Sequence, residues 1–173
     1  DISKNVFVPI TVGGGIKTIS DVDKCFEAGV DRVSINSGLF NDLDLINKVA
    51  KKYGSQAIQA SIHAKIYEKN MWHAFYEAGR EETGKCVVEY AKELESLGAG
   101  EILVTSVSKD GKMQGMETQL IECLANKVSI PLLIGGGYTS NADYQMASNS
   151  NFSGIVIASA LHYNKCSVKE IGK

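Results

Sequence analysis

Pro9-Ile10-Thr11-Val12-Gly13-Gly14-Gly15-Ile16 decides the fold, because its pattern occurs twice. Pro131-Leu132-Leu133-Ile134-Gly135-Gly136-Gly137-Tyr138 follows it at an offset of 122 positions, and the two segments hold the only two prolines of the chain. Each reads as a short buried strand running into three glycines. Downstream, Val33-Ser34-Ile35-Asn36-Ser37 aligns with Ile155-Val156-Ile157-Ala158-Ser159 at the same offset of 122. A chance pair of triple glycines would not carry a second matched segment in register, so an internal duplication is the better reading.

The unit between the copies can be counted. Short apolar, β-branched runs stand at Val8–Val12, Arg32–Ile35, Ala57–Ile62, Glu101–Thr105, Pro131–Ile134 and Gly154–Ile157. Helix-period stretches separate most of them: Ser20 to Ala28 with Ser20 as cap, Asp44 to Tyr53, Gly84 to Leu97 ending at Gly98 as the C′ residue, and Thr118 to Asn126. Strands alternating with helices give a parallel α/β sheet. One triple glycine to the next is a step of four βα units, and a fourfold step in a twofold repeat gives eight. The expected fold is therefore a (βα)₈ TIM barrel of two half-barrel repeats. It is represented in residues 1–173 by about six βα units of a single phosphate-binding domain, with the N-terminal two missing. The alternative, an open six-stranded doubly wound sheet, leaves the register of the repeat unexplained.

A strand that ends in glycines and feeds a helix brings bare backbone N–H groups to a ligand, with the positive end of the helix dipole behind them. Gly14 and Gly15 with Asn36 and Ser37 form one expected phosphate grip. Gly136 and Gly137 with Ala158 and Ser159 form the other. Two grips on one barrel mouth suit a substrate phosphorylated at both ends; the plainer reading is that the glycines only permit tight turns. The loop Thr105 to Gly115 is polar and punctuated by glycine, and its Asp110 either touches substrate or closes an Asx-turn before Gly111. Alternation around Lys69-Asn70 points to a β-hairpin inserted after the strand ending at Ile62, edging the mouth, with Trp72, Phe75 and Tyr76 packing it.

Bulk properties exclude other classes. A net charge of −2 argues against a nucleic-acid surface, and no apolar run reaches the length of a membrane span. The four cysteines, Cys25, Cys86, Cys123 and Cys166, form no metal-ligand pattern. No metal or cofactor is expected, and a cytoplasmic location fits.

With these residues in hand, the chain resembles the cyclase subunit of imidazole glycerol phosphate synthase. The resemblance rests on Thr11 to Ile16, Val33 to Asn36, Tyr53 to Ala57, Gly79-Arg80 with Thr83-Gly84, Gly98 to Ser106, Lys109-Asp110-Gly111 and the second triple glycine. It implies an ammonia-dependent cyclase of histidine biosynthesis. Such an enzyme converts a bis-phosphorylated ribulosyl-formimino ribotide to imidazole glycerol phosphate and an aminoimidazole carboxamide ribotide. It also implies a glutaminase partner in a heterodimer, with Arg32 and Glu101 at the ammonia gate and Asp31 toward the partner. His63 and Asp110 fall at the catalytic positions, and Gly111 at the second phosphate site. The family pattern A-I-D-A-K reads Ser61-Ile62-His63-Ala64-Lys65, so histidine stands where an aspartate is usual, and D-R-D-G reads Ser108-Lys109-Asp110-Gly111. The departure at His63 leaves open a divergent paralogue that passes ammonia to a sugar amidotransferase of surface-polysaccharide synthesis. The sister isomerase shares the half-barrel repeat but not the Gly98 to Ser106 run.

Overall fold

A computed structural model describes residues 6–68 and 71–172. Eight strands form one sheet: β1 (Thr11–Gly13), β2 (Arg32–Ile35), β3 (Ile58–Glu68), β4 (Met71–Tyr76), β5 (Glu81–Cys86), β6 (Glu101–Ser106), β7 (Leu132–Gly135) and β8 (Gly154–Val156). Six of them run parallel in the order β1-β2-β3-β6-β7-β8, while β4 and β5 extend antiparallel from β3. The helices are α1 (Ile19–Glu27), α2 (Ser37–Asn41), α3 (Leu45–Tyr53), α4 (Val87–Ser96), α5 (Thr118–Leu124), α6 (Asn141–Asn149) and α7 (Ser159–His162). This is an α/β fold whose parallel strands form a curled sheet, consistent with part of a TIM barrel.

Period-two alternation sorts the strand residues onto two faces. Val33, Ile35, Ile58, Ala60, Ile62, Ala64, Ile102, Val104, Leu132 and Ile134 are buried on the helix side, with Leu45, Ile46 and Val49 of α3, Leu94 of α4 and Leu120, Ile121 and Leu124 of α5 in the same core. The other face is layered by the parallel register. Ser34, Gln59 and Glu101 are neighbours at the N-terminal end. Ser61, Leu103 and Leu133 follow, then His63, Thr105 and Gly135 at the C-terminal end. That layering places His63 at the mouth and Glu101 at the floor.

Local geometry repeats at the offset seen in the sequence. Helices α1 and α6 start and end 122 positions apart. Each carries a capping box, Thr18 with Asp21 and Ser140 with Asp143. Gly14 (φ 100°) matches Gly136 (φ 95°), and α2 and α7 both open one residue after the corresponding strand-end positions Asn36 and Ala158. Helix α4 ends in a Schellman motif: Gly98 N donates to Glu95 O (3.0 Å) and Ala99 N to Leu94 O (3.0 Å), with Gly98 left-handed at φ 107°.

Three expectations from the sequence are corrected. The cap of α1 is Thr18, not Ser20: Thr18 closes the box with Asp21, whereas Ser20 lies inside the helix and the acidic residue three positions after it, Asp23, is engaged by Lys52 and Tyr53. The strand expected to stop at Ile62 continues to Glu68 and is itself the first arm of the hairpin expected around Lys69-Asn70, two residues that lie outside the described residues. Helix α4 begins at Val87 rather than Gly84, because Glu81–Cys86 is a third antiparallel strand, pinned by Thr83 Oγ1 donating to Ala74 O at 2.8 Å.

Asp143 is a fastening the sequence reading did not single out. It is buried, and its carboxylate accepts from Met116 N (2.9 Å), Thr139 N (2.8 Å), Thr139 Oγ1 (2.7 Å) and Ser140 N (3.2 Å). Burial works to raise its pKa, but these donors together overcome it and hold the pKa below the ordinary 3.8. It ties the loop after β6 to the start of α6. Asp143→Ala leaves buried donors unpaired and is expected to cost about 2 kcal/mol in urea unfolding. Because the folded-state pKa is depressed, the contribution of Asp143 is present above pH 3.8 and is lost as pH falls through the folded value.

Candidate active site

Two cavities open at the C-terminal ends of the parallel strands. The first, of about 520 Å³, is lined by Gly13, Gly14, Gly15, Asn36, Ser37 and Gly38, with Ser61 and His63 at its inner side. The second, of about 240 Å³, is lined by Gly135, Gly136, Gly137, Ala158 and Ser159, by Asp110 and Gly111, and again by Ser61 and His63. All nine residues expected to grip phosphate therefore line one cavity or the other, and both expected catalytic residues line the second. Ser61 and His63 are shared, so the β3 strand end is the junction between the two.

The cradles are bare for a steric reason. A Cβ at Gly14 or Gly15 would meet nothing within 4 Å, and both residues have positive φ (100° and 71°). The Gly137 position (φ 93°) is different: a Cβ there would run into Gly115 O and come within 2.9 Å of Lys109 Cβ. Gly115 N donates to Gly137 O at 2.9 Å, so the loop carrying Asp110 lies directly on the second cradle. Asp110 sits in a turn closed by backbone bonds, Asp110 N to Ser106 O (2.9 Å) and Lys112 N to Lys109 O (3.1 Å). Among the described residues its carboxylate takes no hydrogen bond, so it is not used in an Asx-turn.

Asn36 is oriented by its amide, which donates to Ser61 O at 2.7 Å. Ser37 Oγ accepts from Glu77 N at 3.2 Å, which fastens the connection between β4 and β5 to the first cradle. That connection is strained: Glu77, Ala78 and Gly79 are left-handed in succession, with φ of 49°, 56° and 83°. A non-glycine residue pays about 1–2 kcal/mol for that conformation, and such strain persists only where surrounding contacts fix it. The expected hairpin thus does edge the mouth, through Glu77, Ala78 and Arg80. Trp72 is buried in the core and the Tyr76 ring stacks on Phe40 at 3.8 Å.

His63 Nδ1 is buried and, among the described residues, has no hydrogen-bond partner. Burial pushes the imidazole pKa below its ordinary 6.5, and the Asp110 charge only partly offsets this. The ring is therefore neutral at pH 7, with an open lone pair or N–H at the junction of the two cavities.

At the other end of the interior, Glu101 is buried and accepts from Gln59 Nε2 (2.7 Å) and from Arg32 Nη1 (3.1 and 3.2 Å), while Arg32 Nε also donates to Gln56 O (3.1 Å). Asp31 receives the backbone N–H of Ile10 at 2.7 Å. Arg32 and Glu101 thus meet in one network, while Asp31 is engaged in closing the entry to β1. Gln59 belongs to the network too. Its signal in the sequence was a polar residue in an otherwise apolar buried run.

The model of the family described as histidine biosynthesis protein matches residues 1–167. The chain belongs to this family. Among similar members of the histidine biosynthesis family is the imidazole glycerol phosphate synthase subunit HisF of Hydrogenobaculum sp., 41% identical over 168 residues, which are 96% of this chain and 67% of that protein. The subunits of the same name from Dehalococcoides mccartyi (39% identical, 99% of this chain and 68% of the relative) and Dictyoglomus thermophilum (37% identical, 100% and 69%) are similar along the same length. Within the family, the matched region includes both triple glycines and the strand end at His63.

Proposed function

We propose that this chain works as the cyclase subunit of imidazole glycerol phosphate synthase. It uses ammonia to cleave and cyclise a bis-phosphorylated ribulosyl-formimino aminoimidazole carboxamide ribotide, releasing imidazole glycerol phosphate and an aminoimidazole carboxamide ribotide. One observation carries the reading: two glycine-lined cavities open at the same end of the parallel strands and meet at a single histidine. A substrate with a phosphate at each end can be held by both cradles, which puts its middle, where bonds are made and broken, beside His63. The neutral imidazole takes a proton as bonds to nitrogen form, and the nearby Asp110 charge favours the imidazolium so produced.

The architecture belongs to the same proposal. The parallel strands follow sequence order, and β1 and β8 each have one strand partner among the described residues. Two further βα units between β8 and β1 would close a single barrel domain of eight units in two half-barrel repeats. The relatives, of which this chain matches 67–69%, have that additional length. The Arg32, Gln59 and Glu101 network then lies at the floor, where ammonia from a glutaminase partner would enter, with Asp31 on the rim beside it. Among the described residues, no helix is long and apolar enough to cross a membrane.

Bivalent grip has a direct test. In the full-length protein, the substrate carrying two phosphates is expected to bind on the order of 100-fold or more tighter than either product, each of which carries one. Calorimetric titration of all three checks this. Equal affinities would overturn the two-grip reading.

A further inference from the structure

The two cavities share a glycine cradle but not a charge. Among the described residues, Asp110 is the only charged group lining the second, whereas Lys17, Glu77 and Arg80 line the first. Arg80 reaches that position by way of the left-handed turn Glu77–Gly79, and the turn is fastened on every side. Glu77 N donates to Ser37 Oγ (3.2 Å), Lys65 Nζ to Gly79 O (3.3 Å), and Arg80 N to Tyr76 O (3.1 Å). Gly79 packs so closely on Val107 that a Cβ would come within 2.7 Å of its Cγ2. The turn therefore spans from the end of the first cradle to the loop after β6. The side chain it presents is unspent: among the described residues, the exposed Arg80 guanidinium makes no hydrogen bond or ion pair.

We propose that Arg80 is a phosphate-binding residue of the first cavity, its guanidinium closing over a phosphate seated on Gly14, Gly15, Asn36 and Ser37. A planar fork of donors suits a phosphate that already takes backbone N–H groups on its other side. The strained turn is its mount, holding the base of the side chain at a fixed height above Ser37. The two grips are then unequal. The first holds its phosphate by charge as well as by backbone, and the second holds its phosphate by backbone alone beside the Asp110 carboxylate. The proposal deepens the cyclase reading and rests on it for the substrate, but not for the phosphate.

Inorganic phosphate is the probe, titrated into the ¹⁵N-labelled full-length protein at low ionic strength. The amides of Gly14 and Gly15 report the first cavity, and those of Gly136 and Gly137 the second. Arg80→Gln is expected to shift the curve at Gly14 and Gly15 to about 10- to 100-fold higher phosphate and to leave the curve at Gly136 and Gly137 in place. Arg80→Lys, which keeps charge and loses the fork, is expected to recover part of the difference. An unchanged curve at Gly14 and Gly15, an equal shift at both cavities, or no binding there by the unmodified protein would each overturn the proposal. A protein that shows these shifts yet fails to turn over the ribotide would defeat the cyclase reading and leave the role of Arg80 standing.

Discussion

Gly137→Ala is expected to destabilise the protein by about 3 kcal/mol, and Gly15→Ala, its counterpart in the first copy, by only about 1 kcal/mol. Both residues are left-handed, at φ 93° and 71°, so both substitutions incur the backbone strain of a side chain in that region. Only at Gly137 does a collision add to it. The new methyl would be driven into Gly115 O and against Lys109 Cβ, and Gly115 N already donates to Gly137 O, so the backbone cannot retreat without breaking that bond. At Gly15 the methyl enters open space. The signatures should therefore separate. Gly137→Ala lowers the urea midpoint and disorders the Asp110 loop, while Gly15→Ala keeps most of its stability but places a methyl in the phosphate cradle. Equal losses in urea unfolding would mean that the loop after β6 does not rest on Gly137.

Replacing His63 with alanine is expected to lower kcat by about 10²- to 10⁴-fold with little change in stability, the range that removal of a general acid–base normally produces. The side chain sits where both cavities meet, and its Nδ1 has no partner to lose among the described residues. The pH profile gives the sharper check. The His63 pKa is depressed by burial, so the neutral, proton-accepting ring persists below pH 6.5 and the acid limb of kcat/KM should fall below that value. The Asp110 charge works in the opposite direction, so Asp110→Asn should move the limb lower still. The same shift enters stability with a defined sign: below pH 6.5 the unfolded chain takes up a proton that folded His63 resists, so stability declines as pH falls toward the folded value. A His63→Ala enzyme with unaltered kcat and an unaltered acid limb would remove histidine from the chemistry.

Much of this was legible in the chain, for identifiable reasons. The offset of 122 positions located the second cradle from the first, because the same glycines recur where the backbone must turn in the same way, whereas the return of α1 as α6, capping boxes included, emerged only from the structure. Gly98 announced the end of α4, since the Schellman motif needs a left-handed residue there. Strand β5 was not legible: Glu81-Glu82-Thr83-Gly84-Lys85 has no apolar alternation, because among the described residues it pairs only with β4 and none of its residues is fully buried. Helices α2 and α7 are too short for a periodic pattern. Arg80 stood out beside Gly79, but its place at the first cavity was not legible, because Glu77 and Ala78 adopt a conformation their residue types rarely choose and tertiary bonds to Ser37 and Lys65 hold it. The reach of Asp143 to Met116, across 27 residues, is likewise a tertiary fact.

Ammonium-dependent conversion of the ribulosyl-formimino ribotide by the full-length protein tests the account most directly, read by separating the imidazole glycerol phosphate and aminoimidazole carboxamide ribotide products. The account predicts stoichiometric formation of both products with histidine at position 63, and their near disappearance in His63→Ala. No turnover at saturating ammonium, from protein whose glycine amides still respond to phosphate, would contradict it.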